Sequence, residues 1–195
     1  MDYIKISTEE LLDWLKHNLS EERYEHCIGT AQCAKDLAIR YGQDVQKAYI
    51  AGLLHDCAKC FPNEKSIKII EEEKLDVLES EKINSKTMHA PISAYIAQAE
   101  FGVIDDEILS AIRWHTLGKA NMSMFEKIIF LADKIENRTR EAEHAEPIRK
   151  CLELENGLDQ ALLQCYKQTI KSLVDRGLKI CPLTIEIYNC LNDVK

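Results

Sequence analysis

From Leu11 to Leu191, apolar side chains recur at intervals of three and four residues. No segment keeps the two-residue alternation of a half-buried strand. The punctuation agrees with this spacing. Ser7-Thr8-Glu9-Glu10 and Ser123-Met124-Phe125-Glu126 are capping boxes, in which a hydroxyl and a carboxylate three residues on satisfy each other's backbone donors. Ser20, Asp44 and Asp105 stand where helix N-caps belong, and Gly42, Gly102 and Gly177 where helices stop. The spacing predicts helices up to Gly42, from Asp44 to His55, over 62–73, about 90–101, up to His115, from Ser123, over 157–176 and over 184–192. The polar stretch 74–87 and the charged stretch 137–147 read as connections. The expectation is a single all-α helical bundle over 1–195. Its core would span about 20–138, with C-terminal helices from 147–195 packed on it.

Composition narrows the function. The net charge is −8, which gives no reason to expect nucleic-acid or anionic-membrane partners. An anionic ligand would need a local positive site. The N-terminal stretch has no signal-peptide profile, and no apolar run reaches membrane length. The eight cysteines are expected to be reduced thiols of a cytoplasmic protein. Cys57 and Cys60 form a C-x-x-C, but no βαβ pattern surrounds it.

The candidate chemistry lies in His26, His55-Asp56, His89, His115 and Asp133, each in or beside an apolar helical segment. Imidazole and carboxylate together suit Fe, Zn, Mn or Ni, and six such groups exceed what one catalytic metal needs. Asp133 is the least bland of them. It ends the run Ile128-Ile129-Phe130-Leu131-Ala132, where a carboxylate is costly unless paired or metal-bound. His17 and His144 lie in charged stretches and read as solvated. Arg23 shares a helix face with His26, Lys59 follows Asp56 by three residues, and Arg138 follows Asp133 by five. Cations beside three ligand segments point to a phosphate site next to the metals.

These motifs carry a family resemblance. The order His26, His55-Asp56, Asp133 is the signature of the HD superfamily of metal-dependent phosphohydrolases. More specifically, Arg23-Tyr24-Glu25-His26, Ala51 to Lys59, Met88-His89-Ala90, Ala111 to Thr116 and Glu126 to Glu136 resemble the YqeK family of bacterial symmetrical bis(5′-nucleosyl)-tetraphosphatases. The terminal Pro182-Leu183-Thr184 with Tyr188-Asn189 also fits, so the resemblance runs from about residue 20 to 191. It implies a di-iron centre and hydrolysis of diadenosine tetraphosphate to two ADP; Mn, Zn and Ni also suit the donors. His26, His55, Asp56 and Asp133 would hold one metal. Asp56 would bridge to a second, completed by His89 and His115. Arg23, Lys59, Thr116 and Arg138 would face the phosphates, with His89 and His115 close by. Lys179, Ile180, Pro182 and Thr184 would lie near the nucleoside. Asn137 and Cys181 depart from the family pattern, at the approach to Arg138 and at the nucleoside contact.

On this reading a hydroxide held between the metals attacks a β-phosphorus, and Asp56, Lys59 and Arg23 carry the catalytic roles. ADP is a tolerable leaving group, so no strong protein acid is required. Alternatives stay open: another HD phosphohydrolase acting on nucleoside mono- or triphosphates, an HD-fold di-iron oxygenase, or a regulatory HD module without catalysis. Oligomeric state is not written in the sequence, although homodimers are the commonest assemblies.

Overall fold

A computed structural model describes residues 3–82 and 85–193. It contains eleven helices and no strand among the described residues. They are α1 (Thr8–Asn18), α2 (Glu21–Arg40), α3 (Val45–Leu54), α4 (Asn63–Glu72), α5 (Glu79–Lys82), α6 (Ser85–Ala99), α7 (Asp106–Trp114), α8 (Met124–Ile135), α9 (Ala142–Leu152), α10 (Gly157–Asp175) and α11 (Pro182–Asp193). None is long and apolar enough to cross a membrane.

The caps form as the sequence predicts. Both capping boxes close, and Ser20, Asp44 and Asp105 accept from first-turn amides. Gly42 and Gly102 take the left-handed conformation that ends a helix without steric cost.

α8 is the centre of the bundle. It packs against α2, α3, α7, α9 and α10. From Phe125 to Asp133 only Lys127 escapes burial. A helix apolar on nearly every face belongs in a core, and this one brings Asp133 in with it. α2 and α3 form the most intimate pair, and Gly52 is the reason. A Cβ there would meet the Ala31 backbone at 2.5 Å, so any larger residue forces apart the two helices that carry His26 and His55.

Three boundaries differ from the sequence expectation. The stretch 137–147 is not all connection, because α9 begins at Ala142 and runs through Pro147. Ala145, Ile148 and Leu152 bury one stripe against α8 and α10, and that packing outweighs the polar composition and the missing proline donor. α6 likewise starts at Ser85 rather than near 90 and carries Pro91 inside it, so His89 stands on a helix. Within 74–87, α5 is held by Glu81, whose buried carboxylate takes both terminal nitrogens of Arg113 at 2.7 Å. Ile83 and Asn84 of that stretch lie outside the described residues.

Candidate metal centre

Five helices converge on one polar cluster inside the bundle. α2 brings His26, α6 His89 and α8 Asp133. His55 is the C-cap of α3, with Asp56 next to it, and His115 is the C-cap of α7. All six are buried. Their donor atoms form three overlapping groups, each within 4.8 Å: His26–His55–Asp56, His55–His115–Asp133 and Asp56–His89–His115.

The helix ends orient the rings. The last carbonyls of a helix lack an intrahelical donor. His55 Nδ1 donates to Gly52 O at 2.7 Å, and His115 Nδ1 donates to Ile112 O at 2.7 Å. His26 Nδ1 lies 3.2 Å from Glu136 Oε1. In all three rings the Nδ1 proton faces an acceptor, which leaves the Nε2 lone pair pointing into the cluster. There Nε2 meets Nε2, at 3.3 Å between His26 and His55 and 3.1 Å between His89 and His115. Ring nitrogens crowded together in this way fit a cation held among them.

The carboxylates make the same demand. Asp56 Oδ2 takes Arg23 Nη1 at 2.6 Å, whereas buried Asp56 Oδ1 has no well-formed hydrogen bond. His89 Nε2 approaches Oδ1 to 2.8 Å without making a hydrogen bond to it. An orphaned carboxylate oxygen among imidazoles fits a metal ligand, and a second oxygen on the same group fits a bridge. Four imidazoles and two carboxylates suit a divalent transition metal.

Charge follows from this enclosure. Burial would raise the Asp56 carboxyl, but the surrounding imidazoles of His55, His115 and His89 hold it well below the carboxylate range. Asp133 is likewise raised by burial and lowered further by Lys134 and Arg140, ending well below. Burial pushes His55 down to about 3 and His89 down to about 4, so both are neutral and ready to ligate. His26 goes the other way. Burial lowers it, but Asp133 and Glu136 together raise it above its ordinary value. A metal therefore has to displace the His26 proton. Metal affinity is expected to weaken as pH falls through neutrality, by about tenfold per unit for each proton displaced. Calorimetric titration of the metal-free protein between pH 8 and 6 checks this, and a flat dissociation constant contradicts it.

Lys59, Thr116 and Arg23 join the cluster as expected. Lys59 Nζ lies 3.0 Å from His89 Nδ1, and Thr116 Oγ1 lies 3.0 Å from His115 Nε2. Arg138 does not join it; its guanidinium pairs with Glu25 on the exposed flank. The cation at the carboxylate is Arg140, whose Nη2 reaches Asp133 Oδ1 at 2.5 Å and whose Nε donates to Asp133 O at 2.6 Å. Lys134 takes the other oxygen at 2.6 Å. Glu136 is a further participant that sequence reasoning missed. It is fully buried, accepts from the amides of Arg138 and Thr139, and so folds the chain back over Asp133. Gly29 leaves it room, since a Cβ there would sit 2.2 Å from Glu136 Oε2.

Lys179, Ile180, Pro182 and Thr184 make no hydrogen bond or ion pair to the six ligands among the described residues. Thr184 is buried at the start of α11, and Cys181 Sγ lies 3.2 Å from Ser80 Oγ, tying this segment to α5. His17 and His144 are exposed, as expected.

Comparison with known proteins decides the family. The HD domain family model matches residues 23–138, the stretch that spans the six clustered His and Asp residues. The chain belongs to the HD domain family. The HD chain is 40% identical to the symmetrical bis(5′-nucleosyl)-tetraphosphatase of Bacillus subtilis, over 95% of its own length and 98% of the relative's. The corresponding enzyme of Halalkalibacterium halodurans is 39% identical, over 92% and 94%. The fold matches the crystal structure of a predicted HD superfamily hydrolase involved in NAD metabolism from Clostridium acetobutylicum. That match has a TM-score of 0.90 and 39% identity, and covers 97% of this HD chain and 99% of the other.

Proposed function

We propose that this protein is a metal-dependent hydrolase that cleaves diadenosine tetraphosphate symmetrically into two ADP. Support comes from relatives bearing that name at about 40% identity over nearly their full length. They are joined by a cluster whose donors suit two metals sharing Asp56. His26, His55, Asp56 and Asp133 would hold one metal, and His89, His115 and Asp56 the other. Iron is the metal the family resemblance favours. Bound metals supply Lewis-acid polarisation and a nucleophilic water at neutral pH.

The protein's own groups supply the rest. Arg23 holds Asp56 by one oxygen and keeps part of its side chain exposed, so it both orients the bridging carboxylate and faces solvent. Lys59 is the cation beside His89. A ligating His89 carries its ring proton on Nδ1, which then cannot accept from Lys59, and the ammonium is freed for a phosphate oxygen. Arg140 and Lys134 bring positive charge to the Asp133 side. Together these groups neutralise charge on the departing diphosphate, as phosphoryl transfer requires. The cations also favour phosphate chemistry over the oxygenase and regulatory readings.

The test is metal removal and return. Chelation is expected to abolish diadenosine tetraphosphate hydrolysis, and Fe²⁺ or Mn²⁺ to restore it, with nucleoside mono- and triphosphates poor substrates throughout. Full activity in chelator, or a preference for a nucleoside monophosphate, overturns this function.

A further inference from the structure

A groove of about 970 Å³ lies between the segment leading into α9 and the C-terminal half of α10. Two of its lining residues, Lys134 and Arg140, are the cations on Asp133, so the groove reaches the edge of the cluster. Along α10 it is lined by Gln168, Thr169, Ser172 and Arg176. This part of α10 does not serve the core. The helix buries seven residues up to Tyr166 and none after it. The volume falls within the range of small-molecule sites, and the polar α10 groups stand beside apolar surface from Ile148, Cys165 and Leu173. Glu141, Glu143 and Asp175 also line the groove; Glu141 pairs with His144 and Asp175 with Lys171, while Glu143 makes no ion pair among the described residues. Arg176 has no ion-pair partner among the described residues.

A tetraphosphate cut at its centre has a nucleoside diphosphate on each side of the reacting bond. A single metal centre therefore needs two nucleotide seats, one for each half of the substrate. We propose that the α9–α10 groove is one of these two seats, with Lys134 and Arg140 taking phosphate and Gln168 to Arg176 taking ribose and base. This rests on the tetraphosphatase function given above.

The experiment uses metal-loaded wild type, Ser172→Trp, which fills the groove from an exposed position, and Arg176→Glu. Calorimetric titration with ADP is expected to give two sites per chain in the wild type and one in Ser172→Trp. The KM for diadenosine tetraphosphate is expected to rise about tenfold in both variants. Preference over adenosine 5′-tetraphosphate, which lacks the second nucleoside, is expected to collapse. One ADP per chain in the wild type overturns the groove, as does an unchanged preference in correctly folded variants. A wild type that binds two ADP yet fails to cleave the dinucleotide supports the groove and overturns the tetraphosphatase function instead.

Discussion

Asp56→Ala is expected to lose both metals and at least about a thousandfold in kcat. The two Asp56 oxygens face different halves of the cluster, Oδ2 at 3.5 Å from His55 Nε2 and Oδ1 at 2.8 Å from His89 Nε2. Asp56 places its two oxygens within 3.9 Å of His26 and His55 on one side and of His89 and His115 on the other, so removing it would leave each metal short of a ligand and of an anion. Removing one preorganised electrostatic group already costs about 10² to 10³ in rate, and here two metals go with it. The fold is expected to survive. Arg23 loses its partner, but its side chain is 26% exposed and can turn to water. Metal analysis and circular dichroism on the same sample separate the two effects. Near-normal metal content in Asp56→Ala would sink the shared-carboxylate arrangement.

His89→Ala is expected to lose one metal and keep the other. His26, His55 and Asp133 are untouched by this change, and their orienting bonds from Gly52 O and Glu136 remain. His115 alone with Asp56 is too few ligands for a tight second site. Loss of an outer-shell partner typically costs about 10- to 100-fold, so loss of the ligand itself is expected to cost at least about 100-fold in activity. One metal per chain with low activity is the predicted result. Two metals per chain would remove His89 from the ligand set.

The buried cluster was legible because its His and Asp residues stand in or beside apolar helical segments, and Asp133 ends a run that only a buried, compensated position explains. Burial was the expectation for Asp133 at the end of Ile128 to Ala132, and burial on α8 is what is found. Capping chemistry was equally readable, since Ser7–Glu10 and Ser123–Glu126 interact across three residues. What escaped is set by chain reversal. Arg138 and Arg140 are two residues apart in a polar stretch, and spacing from Asp133 favours the nearer one. The turn built on Glu136 sends Arg138 outward to Glu25 and brings Arg140 back over Asp133. Glu136 was quoted within a motif, but nothing local marks it as buried, because its burial depends on Gly29 of α2. α9 escaped for a related reason. Its stripe Ala145, Ile148 and Leu152 is short and interrupted by Pro147, and only the packing surfaces of α8 and α10 make it a helix.

The central claim is symmetrical hydrolysis, and product identity tests it most directly. Metal-loaded protein incubated with diadenosine tetraphosphate and resolved by chromatography is predicted to yield ADP alone, two per substrate consumed. AMP together with ATP would contradict the account.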